Sequence, residues 1–222
     1  MQYHVSFDIS FLENTYNGQF IVLEGIDGSG KSTQKNIIQK EIEKKGKKTL
    51  LTHEPTREGH IGKLVHEILQ SEVLIPLVGL QYLFAADRSV HQEHVLIPAL
   101  QEGKTVISER CFWSAVPYGL ADKEHTDYKN ASESMLAAYS LLSMYNQFIL
   151  PDKTFFLDVT PQTAVKRLAA MSKEKEIYEK KSKLEIIYQG YKFLLDKFPD
   201  QFIVIDGEAS QEKITEAILS NL

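Results

Sequence analysis

A short segment near the amino terminus, GIDGSGKS at Gly25–Ser32, matches the phosphate-binding pattern G-x-x-x-x-G-K-[ST] in full. Its glycines allow backbone N–H groups to turn toward phosphate oxygens, and a following helix would point its positive end at them. Lys31 supplies a cation for the β- and γ-phosphates, and Ser32 a hydroxyl for Mg²⁺. The pattern therefore predicts that ATP and Mg²⁺ bind here. The residues expected to contact ATP are Gly25, Ile26, Asp27, Gly28, Ser29, Gly30, Lys31, Ser32 and Thr33.

Five apolar runs are typical of strands that are buried on both faces of a parallel sheet, and segments with helical spacing separate them. This alternation predicts an α/β fold of the P-loop NTPase type, a doubly wound sheet of about five parallel strands flanked by helices. The predicted strands are Phe20–Glu24, Thr49–Thr52, Thr105–Ser108, Thr154–Asp158 and Phe202–Asp206. The predicted helices are Ser32–Lys45, Ile61–Leu69, Leu77–Gly103 with a bend near Pro98, Ser132–Phe148, Pro161–Ala170, Leu184–Phe198 and Gln211–Leu219.

Length and composition limit the classes of protein that fit. The 222 residues suggest a single domain over residues 19–222, preceded by an extension, residues 1–18, that is either a short extra strand or a mobile arm. The net charge of −5 does not favour nucleic acid or an anionic membrane as a partner. One cysteine, no signal-peptide pattern and no long apolar stretch predict a cytoplasmic protein.

Several blocks of the sequence, in order and at matching spacing, resemble the thymidylate kinase family, and the likeness runs from about Phe20 to the carboxyl terminus. The resemblance implies transfer of the γ-phosphate of ATP to dTMP, giving dTDP and ADP, with Mg²⁺ as cofactor. It also implies a homodimer and a small helical lid at about residues 170–183. The blocks that carry it are FIVLEGIDGSGKSTQ, LFAADRSVHQEHVLIPAL, SERCFWSAVPYG and PDKTFFLDVTPQTAVKRL.

The resemblance also implies an acceptor site. Phe84 would stack on the pyrimidine, Arg88 would donate to its O4 atom, and Tyr118 would crowd the sugar 2′ position. Some residues of the implied site also have a purely structural interpretation. Asp27 could hydrogen-bond the backbone of its own loop, Arg57 could be a solvated loop arginine, and Phe84 could be a core residue. The substrate-binding residues implied are Asp27, Glu54, Arg57, Phe84, Arg88, Arg110, Ser114 and Tyr118.

The catalytic residues implied by the resemblance are Lys31, Arg110, Asp27 and Glu109. The residues implied to bind the metal are Ser32 and Glu109. Arg110 is expected to bridge the acceptor and the transferred phosphate as charge develops. Glu109 stands where the family has aspartate, so its side chain is longer by one methylene and could reach Mg²⁺ through water. Cys111 stands where the family has an aromatic residue, and we expect a small buried apolar group rather than a nucleophile.

The lid sequence, SKEKEIYEKKSK at 172–183, contains no arginine, although bacterial relatives often carry arginines there. Lysines are the available cations, and a charged run of this kind is also typical of a solvated helix face. The lid residues implied are Lys173, Lys175 and Glu179. Arg167, just before the lid, matches an arginine that lies on or near adenine. A closed lid would exclude water from the reaction.

Two other functions remain open at this point. A deoxynucleoside kinase shares the phosphate loop, often has a Glu-Arg-Ser segment similar to Glu109–Arg110, and uses a glutamate at the position of Glu54 as a base. Arg57 argues against it, because an additional arginine suits an acceptor that already carries phosphate. A non-enzymatic nucleotide-binding protein is the second alternative, and the presence of Lys31 and Ser32 argues against it.

Overall fold

The computed structural model describes residues 9–121, 138–171 and 177–222. Its five strands form one parallel sheet in the order β2-β3-β1-β4-β5. The predicted α/β fold with five parallel strands is therefore confirmed. The strands are β1 Gln19–Glu24, β2 Thr49–His53, β3 Thr105–Glu109, β4 Lys153–Asp158 and β5 Ile203–Asp206.

Helices connect the strands and cover both faces of the sheet. They are α1 Lys31–Lys44, α2 Gly59–Leu69, α3 Leu77–His91, α4 Ile97–Gln101, α5 Ala115–Ala121, α6 described over 138–142, α7 Pro161–Met171, α8 Ile177–Lys197 and α9 Gln211–Leu219. A π-helical turn spans Gln92–Leu96, and 3₁₀ turns span Phe112–Ser114, Ser143–Tyr145 and Pro199–Gln201. None of the helices in the described part of the chain is long and apolar enough to cross a membrane.

Alternate residues of β1 face two separate hydrophobic clusters. Phe20 and Val22 pack into the larger one, with helices α4, α5 and α8. Ile21 and Leu23 pack into the smaller one, with α1 and α9. A strand buried on both faces is apolar along most of its length, which is why Phe20–Leu23 is a continuous apolar run before Glu24.

Three predicted helices differ from the structure by more than one or two terminal residues. The helix predicted over Leu77–Gly103 ends at Gln101 and is irregular at Gln92–Leu96, one turn before Pro98. Because proline has no N–H, the regular bond to the carbonyl of residue 94 cannot form, and a wider turn precedes it.

The helix predicted over Leu184–Phe198 begins already at Ile177, because the polar run before residue 184 consists largely of good helix formers that carry no apolar periodicity. Of the helix predicted over Ser132–Phe148, residues 132–137 lie outside the described residues. The described part passes into a 3₁₀ turn at Ser143–Tyr145 and ends before Phe148.

Residues 9–18 of the amino-terminal extension lie on the domain. Leu12 forms an isolated parallel bridge with Ile149, and Leu150 N donates to Leu12 O at 2.7 Å. Phe11 stacks on Phe112 with ring centroids 5.4 Å apart. This part of the extension therefore contributes to the larger hydrophobic cluster without forming a regular strand.

Candidate active site

The carboxyl ends of β1, β2 and β3 meet at one edge of the sheet. The strand register places Leu23 and His53 on either side of Glu109. The loops that follow these strands, which carry Gly25–Ser32, Arg57 and Arg110, therefore converge. Ligand groups in open α/β sheets lie outside this edge.

The backbone of the phosphate loop requires glycine at particular positions. Gly28 has φ 82°, and a Cβ atom there would lie 2.7 Å from the carbonyl oxygen of Ala164 on α7. Gly30 has φ 98° and directly precedes α1. A side chain at either glycine would strain the turn that directs the first N–H groups of α1 into the site.

Lys31 is buried and folds back over the loop. Its Nζ donates to the carbonyl oxygens of Gly25 at 3.0 Å and Ile26 at 2.9 Å. Burial, together with the nearby charge of Arg110, lowers the pKa of Lys31 to about 8. The ammonium group therefore lies beside the loop but is held by carbonyl oxygens that an incoming phosphate could replace.

The side chains of Ser32 and Glu109, both predicted to bind Mg²⁺, are in contact with each other. Ser32 Oγ donates to Glu109 Oε2 at 2.7 Å, so the longer glutamate side chain does reach the loop. No group of three or more His, Cys, Asp or Glu side chains in the described residues could hold a metal ion. A hydroxyl and one carboxylate fit Mg²⁺, which takes most of its ligands from water and phosphate in such sites.

Lys35 also faces Glu109, and the sequence analysis missed it. Its Nζ lies 3.8 Å from Glu109 Oε2 and donates to the carbonyl oxygen of Thr52 at 2.9 Å. Lys35 follows Lys31 by one helical turn, so the spacing on α1 was the signal that could have identified it. It adds a cation to the side of the site toward β2.

Arg110 connects the phosphate loop with α5. Its Nη2 donates to Asp27 Oδ1 and to Tyr118 Oη, each at 2.5 Å, and its Nη1 donates to Gly25 O at 3.2 Å. Desolvation raises the pKa of Asp27, but the charges of Arg110 and Lys31 outweigh it, so the pKa is below its ordinary value. Asp27 therefore remains a carboxylate beside the guanidinium.

The backbone of Arg110 explains why its side chain turns back over the loop. Its φ of 71° lies in the left-handed region, where a residue other than glycine costs roughly 1–2 kcal/mol. The chain turns sharply after β3 and is held by bonds from Arg110 N to Leu23 O at 3.0 Å and from Cys111 N to Glu24 Oε1 at 2.9 Å.

A fully buried carboxylate, Glu24, lies beneath Arg110. Its Oε2 accepts hydrogen bonds from Ser114 Oγ and Tyr191 Oη, each at 2.7 Å. Ser114, which was predicted to bind substrate, is buried in this network. Its Oγ accepts a hydrogen bond from Arg110 Nη1 at 3.1 Å. Glu24 was detectable as an acid that ends an apolar strand, whereas nothing in the sequence connects the distant Tyr191 with the site.

Cys111 is buried next to this network. Burial and the charge of Glu24 raise the pKa of its thiol well above the ordinary value. A buried thiol with a raised pKa is a poor nucleophile, in keeping with the prediction of a small buried apolar group.

Glu54 holds Arg88 in place. Arg88 Nε donates to Glu54 Oε2 at 2.8 Å, and His91 Nδ1 lies 3.0 Å from Glu54 Oε1. Burial raises the pKa of Glu54, but His91 and Arg88 outweigh it, so the pKa is below its ordinary value. Both carboxylate oxygens of Glu54 are engaged, and His91, one helical turn after Arg88, is a further contact that the sequence analysis missed.

Aromatic rings fix the other side of Arg88. Its Nη1 donates to Tyr145 Oη at 2.9 Å, and its guanidinium carbon lies 5.1 Å from the Tyr145 ring centroid. Phe84, which is half-buried, lies 5.8 Å from the same carbon. The Tyr145 ring stacks on the Phe112 ring with centroids 5.9 Å apart, and the Phe112 ring also stacks on Phe11.

Asp87 positions the loop after β2. Its carboxylate accepts from Thr56 N at 2.7 Å and from Thr56 Oγ1 at 2.5 Å. Arg57, the next residue, is exposed and lines a cavity of about 400 Å³. The same cavity is lined by Lys35, Arg110 and His53. Burial and the charges of Lys35 and Arg57 lower the pKa of His53. The cavity therefore combines three cations with the carboxyl groups of Glu54 and Glu109.

The remaining predicted residues are those expected on the donor side. Arg167 on α7 is half-buried, and its Nη2 donates to Gly207 O at 2.9 Å. Lys173 and Lys175 lie outside the described residues. Glu179 belongs to α8, but its side chain is outside what the structure describes.

Comparison with known proteins identifies the family. The family model described as thymidylate kinase matches residues 23–218. The chain belongs to the thymidylate kinase family. A protein named "Probable thymidylate kinase" from Methanosarcina acetivorans is 32% identical over 206 residues, which cover 92% of this chain and 95% of that protein. A protein of the same name from Pyrococcus horikoshii is 35% identical over 196 residues, 84% of this chain and 87% of its own.

Family membership defines the class of reaction. Thymidylate kinases are nucleoside monophosphate kinases, so the chain is an enzyme that transfers phosphate between nucleotides. The match excludes the first residues of the chain, so the contacts of Phe11 and Leu12 lie beyond the family model.

The buried ammonium of Lys31 predicts a pH-dependent cost of folding. Its pKa is about 8 in the fold and 10.5 in a model peptide, so the unfolded chain binds more protons between these values and stability increases with pH there. Below pH 8 the full cost is present. We expect Lys31→Met to stabilise the unliganded protein by on the order of 3 kcal/mol at pH 7, with the gain decreasing from about pH 8 to 10.5.

Denaturant unfolding of both proteins across this pH range measures the effect. Lys40→Met, at an exposed position of the same helix, is the matched control and should not stabilise the protein. A Lys31→Met protein that is less stable than the wild type at pH 7 would show that the loop carbonyls compensate the ammonium fully.

Proposed function

We propose that this thymidylate kinase family member transfers the γ-phosphate of ATP to dTMP, giving dTDP and ADP, with Mg²⁺. The observation that carries the proposal is the group of cations between the phosphate loop and the end of β2. Lys35, Arg57 and Arg110 line one cavity, and Lys31 lies next to Arg110. Such a charge arrangement suits two phosphate groups that face each other. The names of the relatives support dTMP as the acceptor.

The engagement of Glu54 supports a monophosphate acceptor over a nucleoside. A deoxynucleoside kinase needs a base for the sugar hydroxyl, and Glu54 occupies the position for it. Here both oxygens of Glu54 are bound by Arg88 and His91, and its pKa is lowered, which makes it a poor proton acceptor. A phosphate dianion needs no such base, because it is already an effective nucleophile near neutral pH.

In the proposed reaction an acceptor phosphate oxygen attacks the γ-phosphorus in line. The new P–O bond forms while the bond to the β-γ bridging oxygen breaks, and ADP leaves with those electrons. Lys31 exchanges its contacts with Gly25 O and Ile26 O for phosphate oxygens. Arg110, held by Asp27, stabilises charge on the transferred group.

The base and sugar contacts complete the proposed acceptor site. Phe84 stacks on the pyrimidine and Arg88 donates to O4, while Tyr118 limits the space at the sugar 2′ position. Arg57 binds the acceptor phosphate. Ser32 and Glu109 would hold Mg²⁺, which when bound neutralises charge on the phosphates.

On the donor side, Arg167 lies near adenine in this proposal. Lid residues Lys173, Lys175 and Glu179 complete the ATP site. We further propose a cytoplasmic protein, in keeping with its ATP requirement and single buried cysteine.

A panel of acceptors tests the proposal. Release of ADP from MgATP is measured with dTMP, dUMP, dCMP, dAMP, dGMP and thymidine. We expect turnover with dTMP, little with thymidine, and loss of activity when a chelator removes Mg²⁺. Thymidine as the preferred acceptor would establish the deoxynucleoside kinase alternative instead.

Two substitutions test the catalytic roles. Lys31→Ala and Arg110→Ala should each lower kcat at least ~100-fold, about 2.7 kcal/mol of transition-state stabilisation, because each removes a charge that acts where negative charge develops. Steady-state kinetics with dTMP measures the loss. Lys40→Ala, an exposed lysine on α1, is the control and should retain wild-type turnover. Near-normal kcat in either test variant would contradict the assigned roles.

We propose that the enzyme is a homodimer. An apolar strip on and before α3 supports this, with Leu74 87%, Val78 58%, Tyr82 64% and Val90 46% exposed. Val78 and Tyr82 are one helical turn apart, so they share one face. An exposed apolar strip of this kind is typical of an interface.

Placing a charge in the strip tests the dimer. Tyr82→Asp should shift the sedimentation coefficient from that of a dimer to that of a monomer, since an unpaired carboxylate would be buried in the interface. Val204→Asp, at an exposed apolar residue on β5, is the control and should leave the dimer intact. A wild-type protein that sediments as a monomer would show that the homodimer proposal is wrong.

A further inference from the structure

Gln81 on α3 is a buried amide without hydrogen-bond partners. It is 4% exposed, and within the described parts of the chain neither its Oε1 nor its Nε2 has a partner. A buried donor or acceptor that bonds nothing is costly, and here one side chain leaves both kinds unsatisfied. Such a group is explained by a ligand that supplies an acceptor and a donor side by side.

The position of Gln81 on α3 directs it to the acceptor base. Gln81 and Arg88 are seven residues apart, nearly two full turns, so they lie on the same face about 10.5 Å apart along the axis. Phe84 lies between them on that side. A flat ring stacked on Phe84 would therefore have Arg88 toward one edge and Gln81 toward another.

Contacts around Gln81 place it between α3 and α5. A Cβ atom built at Gly119 would lie 3.4 Å from Gln81 Cδ. Gly119 follows Tyr118, whose hydroxyl accepts from Arg110 Nη2. The amide thus lies against α5 beside Leu141, and the α5 residue it faces is the neighbour in sequence of the tyrosine assigned to the sugar.

We infer that Gln81 is a further specificity-determining residue, whose carboxamide hydrogen-bonds the imide edge of the acceptor pyrimidine. Its Oε1 accepts from the base N3–H and its Nε2 donates to the adjacent carbonyl oxygen at C2, while Arg88 donates to O4. The imide edge of the base offers one donor and one acceptor side by side, and the carboxamide of Gln81 offers one acceptor and one donor. Both unpartnered atoms of Gln81 would therefore gain a hydrogen bond at the same time. This inference rests on the proposed function, because it requires a thymine or uracil base at Phe84.

The inference predicts opposite effects on the free enzyme and on substrate binding. Gln81→Met, nearly the same in size but apolar, should raise the melting temperature of the unliganded protein because it removes the orphan amide. The same variant should raise the KM for dTMP roughly tenfold, the effect of about one lost pair of buried hydrogen bonds. The KM for ATP should not change. A residue that only packs would lower stability or leave KM unaltered.

A second substrate and a second variant make the test specific. N3-methyl-dTMP lacks the N3–H, so the wild-type enzyme should use it poorly, and Gln81→Met should bring its kcat/KM closer to that for dTMP. Gln81→Glu retains the acceptor and should keep part of the preference for dTMP over N3-methyl-dTMP. Gln101→Met, an exposed glutamine at the end of α4, is the matched control and should behave as the wild type.

The outcomes separate this inference from the proposed function. Normal dTMP turnover with an unchanged KM in Gln81→Met would overturn the inference alone. An unchanged ratio of dTMP to N3-methyl-dTMP in Gln81→Met would also overturn it. A wild-type enzyme that does not phosphorylate dTMP would overturn the proposed function, and the inference with it.

Discussion

The buried guanidinium of Arg110 is the interaction on which the site depends. It joins the phosphate loop through Gly25 and Asp27, α5 through Tyr118, and the carboxylate of Glu24 at 4.0 Å below. A buried charge is tolerated only when it is paired and fully hydrogen-bonded. The left-handed backbone at Arg110 is retained because these contacts together outweigh its strain. The loop, β3 and α5 are thereby fixed relative to one another before any substrate binds.

Arg88 is a second buried arginine that is paired and hydrogen-bonded, but by different groups from those around Arg110. Arg88 is held by the carboxylate of Glu54 and by the ring and hydroxyl of Tyr145. Nearly parallel rings continue outward from Tyr145 to Phe112 and Phe11, with interplanar angles of 17° and 15°. Rigid side chains around an arginine leave its remaining N–H groups directed at a ligand, which lowers the entropy lost on binding. Phe11, which lies outside the family match, thus supports the rings that surround Arg88.

Two buried polar side chains, Lys31 and Gln81, lower the stability of the unliganded fold. Lys31 is buried with a lowered pKa, and Gln81 is buried without hydrogen-bond partners among the residues that the structure describes, although each would be less costly as an apolar residue. Under the proposed function both costs decrease when phosphate or base binds, so part of the binding free energy would come from groups that folding leaves unsatisfied. Such local costs are typical of functional sites and rare elsewhere in a core.

The sequence by itself determined the sheet, the phosphate loop and the chemistry of its lysine and serine, because these depend on local patterns. A continuous apolar run indicates a buried parallel strand, and glycine spacing defines the loop. The resemblance to the family predicted acceptor-site roles for Arg57, Phe84, Arg88 and Arg110, and these roles stay predictions. The tertiary structure alone decided that Glu24 and Tyr191 support Arg110 and that His91 and Tyr145 fix Arg88. It also left Gln81 without a hydrogen-bond partner in the described part of the chain. These contacts join residues far apart in the chain, and only packing brings them together.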